Sequence, residues 1–89
     1  MPHVKIPPPY QGPTLGQGSV QVEGASVRSC LEAVEQQFPG FSAQIFDAEG
    51  VVHRFVTLFI NGDEIHRTEV DKTVAETDEV EILAAIAGG

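Results

Sequence analysis

The sequence predicts an α+β domain in which a mixed sheet of four to five strands packs on one main helix. Three observations predict it. An apolar stripe at helical spacing runs from Val27 to Phe38, two period-two segments precede it, and further strand-like segments follow it. With 89 residues the chain is expected to form one domain with one modest core, and a deep enclosed active site is not expected on top of it.

The first strand is predicted over His3–Ile6, with Val4 and Ile6 inward and His3 and Lys5 outward. Pro7, Pro8 and Pro9 then remove three successive amide donors, so sheet pairing must stop or move to an edge. Gly12, Pro13, Gly16 and Gly18 mark a loop. Alternation resumes over Ser19–Glu23, with Val20 and Val22 on one face. The two strands form a hairpin whose loop exceeds the usual two to five residues.

Ser26 is placed to cap the helix by accepting a bond from a first-turn amide. Val27, Cys30, Leu31, Val34 and Phe38 form its apolar stripe, and Pro39-Gly40 ends it. Phe41, Ile45 and Phe46 suggest a short helical turn over one end of the core. The strongest strand signal is Arg54–Ile60, followed by the turn dipeptide Asn61-Gly62 and a short returning strand within Glu64–Thr68. Asp71–Asp78 is polar and turn-like, anchored by Val74. The last strand covers Glu79–Leu83, with Val80 and Ile82 inward. This order of strand, strand, helix, strand, short strand, strand is the β-grasp, or ubiquitin-like, arrangement. It divides the chain into a β-grasp domain over 1–83 and a flexible tail over 84–89 that ends in Gly88-Gly89.

Thirteen Asp and Glu against five Lys and Arg give a formal net charge of -8, which argues against nucleic acid and anionic membrane as partners and suits a basic protein surface. The lone Cys30 lies in the helical stripe and reads as a small buried hydrophobe, in a chain expected to be cytoplasmic. No apolar run reaches membrane-span length, and the first residues lack the apolar region of a signal peptide. His3, His53 and His66 are scattered and read as surface or loop residues, and no metal motif or phosphate loop is present.

The chemistry falls to the C-terminus. Two successive glycines at a chosen place are expected in about half a percent of chains. Glycine lacks a Cβ, so Gly88 and Gly89 allow close backbone approach to a partner. Six residues reach at most about 20 Å, enough to thread into a partner's active site. A carboxylate is a poor electrophile. Adenylation makes it a good one, and a sulfur donor then leaves a thiocarboxylate on Gly89. If Val56, Leu58 and Ile60 face the helix, Phe55, Thr57 and Phe59 face away with Leu83 beside them, and exposed Phe and Leu on one face mark a docking patch. Ala85, Ile86 and Ala87 join that patch to the glycines and would lie against the same partner. Coverage of the patch by the chain's own loops is the plainer alternative. The acidic run Asp71, Glu76, Asp78, Glu79 and Glu81 reads as a solvated face that also suits a basic rim on a partner.

The segments Val52–Glu64 and Asp78–Gly89 resemble the central strand and final strand-plus-tail of CysO-type sulfur carriers, relatives of MoaD and ThiS, and the Ser26–Phe38 helix fits in place and length. The resemblance implies a β-grasp fold and a Gly89 that is adenylated and then thiocarboxylated. It implies a ubiquitin-activating-type adenylyltransferase that uses ATP with magnesium, and a downstream sulfur-incorporating synthase for cysteine or a sulfur-containing metabolite. The domain itself would bind no cofactor and catalyse nothing. Phe59 and Leu83 match the family's docking positions best. The chain has Ala84 where the family often has Pro, Thr57 where relatives often have Asn, and an unusual Pro7–Pro9 run. Three other readings stand beside the carrier: the small subunit of molybdopterin synthase, a protein modifier joined through Gly89, and a plain interaction domain.

Overall fold

The computed structural model describes residues 1–84; Ala85, Ile86, Ala87, Gly88 and Gly89 lie outside the described residues. Five strands form one sheet: β1 (His3–Lys5), β2 (Ser19–Gln21), β3 (Val56–Ile60), β4 (Asp63–Ile65) and β5 (Glu79–Ala84). Their order is β2-β1-β5-β3-β4. β1 and β5 run parallel at the centre, and every other pairing is antiparallel. One face of this mixed sheet packs on α1 (Val27–Gln37) and the short α2 (Ser42–Ile45), which is the expected β-grasp.

β1 and β2 form the predicted hairpin. The parallel ladder from β1 to β5 ends at Lys5↔Glu81. Pro7 has no amide to continue it, and Pro8–Tyr10 coil into a 3-10 turn closed by Tyr10 N donating to Pro7 O at 2.9 Å. The long loop that follows is internally braced. Thr14 is fully buried and donates from Oγ1 to Gln17 O at 2.9 Å, while Gln11 Nε2 donates to Ile6 O at 2.9 Å.

Ser26 caps α1 as predicted, its Oγ accepting from Ser29 N at 3.1 Å; Ser29 Oγ in turn accepts from Ser26 N at 2.9 Å. Val27, Cys30, Leu31 and Val34 are buried along the stripe, and Phe38 ends the helix half-buried. Phe41 and Ile45 close one end of the core, as expected of the second helical turn. From the sheet, Val4, Val20, Leu58, Val80 and Ile82 complete it. Val74 is buried and anchors the polar stretch before β5.

β1 stops at Lys5 rather than Ile6 and β2 at Gln21 rather than Glu23, and three further boundaries differ for a visible reason. β3 begins at Val56 rather than Arg54, because Val56 N donates to His53 O at 3.0 Å and closes a turn that takes Arg54 and Phe55 out of the sheet. β4 stops at Ile65, where the ring of His66 accepts from Thr68 N and starts a 3-10 turn over Arg67–Glu69. β5 runs one residue past Leu83, because Ala84 still has Val56 opposite it.

Candidate docking face at the end of the central strand

The topology gathers three segments at one end of the sheet. β1 is parallel to β5, so Ile6 and Pro7 leave the sheet beside Leu83; β3 is antiparallel to β5, so Val56 lies opposite Ala84. β5 therefore ends, at Ala84, between the Pro7 turn on one side and the Phe55 turn on the other. A crevice of about 110 Å³ opens there, lined by residues that include Ile6, Pro7, Gly18 and Leu83.

Phe55 is 47% exposed and Leu83 is 41% exposed. Phe55 reaches this end from its turn and not as an outward strand position. Its ring stacks on His53 with centroids 5.0 Å apart and planes within 9°, which covers one ring face and leaves the residue partly exposed. Thr57 and Phe59 do take the outward strand positions. Thr57 stands opposite Leu83, and Phe59 stands opposite both Glu81 on β5 and Glu64 on β4. Outward residues of β5 alternate with the buried Val80 and Ile82, which is why Glu79, Glu81 and Leu83 share this face. Lys5 sits on β1 beside Glu81, with Nζ 4.0 Å from Glu79 Oε1. Both side chains are well exposed, so that pair contributes little to stability. The structure thus places Phe59 and Leu83 on the outward face of the sheet and Phe55 in the turn that leads into β3 at the Leu83 end, with Phe59 toward the other end of its strand, while Ala85, Ile86, Ala87, Gly88 and Gly89 lie outside the described residues.

Glu64 was not among the residues that sequence patterning picked out, although a signal for it exists. A two-residue Asn61-Gly62 turn fixes the hairpin register, and that register places Glu64 against Phe59.

Several of the remaining polar groups serve the scaffold. A depression of about 570 Å³ is lined by Glu35, Ser42, Phe46, Asp47 and His53 among others. Its carboxylates are already engaged. Glu35 accepts from Ser42 N at 2.8 Å and Gly40 N at 3.1 Å, which together with the Ser42 hydroxyl lower its pKa. Asp47 accepts from Val51 N and Glu49 N, and these bonds likewise lower its pKa. Cys30 is fully buried and burial pushes its thiol pKa up, as befits a core residue and not a nucleophile. Among the described residues no group of three or more His, Cys, Asp or Glu is placed to hold a metal ion, and no helix is long and apolar enough to cross a membrane.

The ThiS family model matches residues 11–89. This chain belongs to the ThiS family. It is therefore a small protein of the ubiquitin-like sulfur-carrier class, as its resemblance to CysO-type carriers implied. The ThiS-family chain is similar to a chain of the Amycolatopsis orientalis BexX/CysO complex, with 31% identity, 100% of each chain covered and a TM-score of 0.89. It is similar to Mycobacterium tuberculosis CysO at 28% identity, covering 97% of this chain and 100% of that one with a TM-score of 0.87. SAMP1 from Haloferax volcanii shares the fold at 20% identity, covering 99% of this chain and 98% of that one with a TM-score of 0.83. No curated protein matches the sequence.

Proposed function

We propose that this protein carries sulfur as a thiocarboxylate on Gly89. The observation that carries the reading is that the ThiS-family match runs through to Gly89 itself, at the end of the segment that β5 feeds. A carboxylate oxygen of Gly89 attacks the α-phosphorus of ATP, held with magnesium by a ubiquitin-activating-type adenylyltransferase, and pyrophosphate leaves. Hydrosulfide then attacks the acyl carbon, and AMP leaves with the bonding electrons. The product is a glycyl thiocarboxylate that a downstream synthase draws on for cysteine or another sulfur-containing metabolite, in the cytoplasm.

The domain's part is presentation. Gly88 lets the chain thread into a narrow site, because neither it nor Gly89 carries a Cβ. Phe55, Phe59 and Leu83 form the docking surface, and Ala85, Ile86 and Ala87 lie along the partner between that surface and the glycines. A complex named for BexX and CysO among the similar structures supports a protein partner for this class.

The test is to incubate the purified protein with the host's adenylyltransferase, magnesium ATP and sulfide, and to weigh it intact. A gain of about 16 Da, localised by fragmentation to the C-terminal peptide, is the expected result. A folded protein that gains no mass while the enzyme is active on another carrier would refute the reading.

A further inference from the structure

We propose that Glu64, Phe59 and Glu81 form a cradle for an arginine side chain of the adenylyltransferase. The proposal rests on the carrier reading above and names the chemistry by which its partner is recognised.

The three residues form one row across β4, β3 and β5, with Phe59 directly opposite each glutamate. Directly opposed pairs hold their Cβ atoms about 4.5–5.5 Å apart, so a half-exposed ring is flanked on both sides by a carboxylate within reach of a group lying on it. Neither glutamate takes part in an ion pair or side-chain hydrogen bond among the described residues. Several other carboxylates are engaged: Glu35, Asp47 and Asp78 accept backbone amides, Glu69 accepts from His66 N, and Asp71 pairs with Arg28, while Glu23, Glu32, Glu49, Asp63 and Glu76 are, like the two glutamates of the row, without such a partner among the described residues. Lys5, the cation beside Glu81 in the row, is turned toward Glu79 at 4.0 Å.

The fold already contains a filled version of this arrangement. The Arg28 guanidinium lies 5.4 Å from the centroid of Phe46, and its Nε donates to Asp71 Oδ1 at 2.8 Å. One planar cation satisfies a ring face and a carboxylate together. The row on the outer sheet face offers the same two contacts with a second carboxylate and no guanidinium of its own among the described residues. Arginine fits it better than lysine because its flat group stacks on the ring while its fork of donors reaches sideways to the glutamates. The net charge of -8 favours a cationic partner. Leu83 and Thr57 lie one step along the same face, so the cradle is continuous with the apolar part of the proposed docking surface.

Two measurements test this. The first titrates isotope-labelled protein with ethylguanidinium chloride or butylammonium chloride at constant ionic strength, following the Phe59 ring and the Glu64 and Glu81 carboxyl carbons by NMR. Saturation at an at least roughly threefold lower concentration of ethylguanidinium, abolished in Glu64→Gln/Glu81→Gln, is expected. An equal response to both cations, or none, overturns the cradle. The second compares affinity for the adenylyltransferase. Glu64→Gln/Glu81→Gln should weaken it about tenfold or more, while Glu32→Gln/Glu49→Gln, the same loss of charge on other surfaces, should change it less than about twofold. Equal losses from the two double variants overturn the proposal. A wild-type protein that never gains sulfur overturns the carrier reading instead, and the cation titration still decides whether the cradle exists.

Discussion

The side-chain amide of Asn61 donates to Asp78 Oδ1 at 2.8 Å, fastening the β3–β4 turn to the entrance of β5. Asn61 Oδ1 also accepts from Glu79 N at 2.9 Å, and Asn61 N donates to Glu79 O at 2.8 Å. The start of the central strand, whose other end feeds the chain toward Gly89, is thus held by one turn residue. Asn61 has φ +51° and Gly62 has φ +85°, a left-handed pair that tightly connects two antiparallel strands.

Asn61→Ala therefore loses two side-chain bonds and a residue that tolerates left-handed backbone. It should lower unfolding stability by about 2–3 kcal/mol. Asn61→Gly keeps the backbone freedom, loses the same bonds and should fall between the variant and the parent. Urea unfolding of the three proteins checks the order.

The pH dependence of stability has a defined sign. Backbone amides donating to Glu35, Asp47 and Asp78 lower the pKa of each carboxyl in the folded protein. Their stabilisation is complete above the unfolded carboxylate range of about 3.9–4.3 and is lost as pH falls through the lower folded values. Glu35→Gln removes one such group. The stability difference between pH 7 and pH 3, measured by denaturant unfolding, should be smaller in that variant than in the parent. An unchanged difference would count against the Glu35 bonds.

Gly24 is set by close approach. A Cβ built there would stand 2.8 Å from Cys30 Sγ and 2.9 Å from Cys30 N. The second contact is backbone at the start of α1 and has no rotamer to escape into. Gly24→Ala should cost about 1–3 kcal/mol in thermal or urea unfolding, whereas Gly12→Ala, with open space around it, should cost far less.

These residues also show what local sequence can and cannot convey. The turn at Asn61-Gly62 and the Ser26 cap were legible because those roles are fulfilled within a few residues of chain, whereas the bonds from Asn61 to Asp78 and Glu79 were not. The inward alternation of Val56, Leu58, Val80 and Ile82 was legible because burial on one sheet face imposes a period of two. The role of Gly24 was not, since it depends on where α1 lies, and neither was the self-bracing of Thr14. Phe55 reads as strand because it continues an aromatic, β-branched run. The bond from Val56 N to His53 O decides otherwise, and no propensity encodes it. The outward placement of Phe59 and Leu83 followed from periodicity. Glu64 follows from the Asn61-Gly62 hairpin register, but Glu81 needed the strand order, which sets β5 beside β3 across β4 and a 3-10 turn.

On the proposed carrier function, docking and chemistry fall to separate parts of the chain. Leu83 is exposed opposite Thr57 on the outer face, so Leu83→Arg adds a charge without disturbing the core. It should leave the folded protein intact and weaken its affinity for the adenylyltransferase at least about tenfold, because a charge replaces an apolar contact at the proposed interface. Deleting Gly89 changes neither the sheet nor that face. It should leave affinity within about threefold of the parent while abolishing the mass gain, because the reacting carbonyl is then displaced by one residue, up to about 3.6 Å. Calorimetry for binding and intact mass for sulfur loading distinguish the two variants. A deletion variant that still acquires sulfur would show that position along the strip beyond β5 does not matter. A Leu83→Arg protein that binds normally would remove this face from the interface.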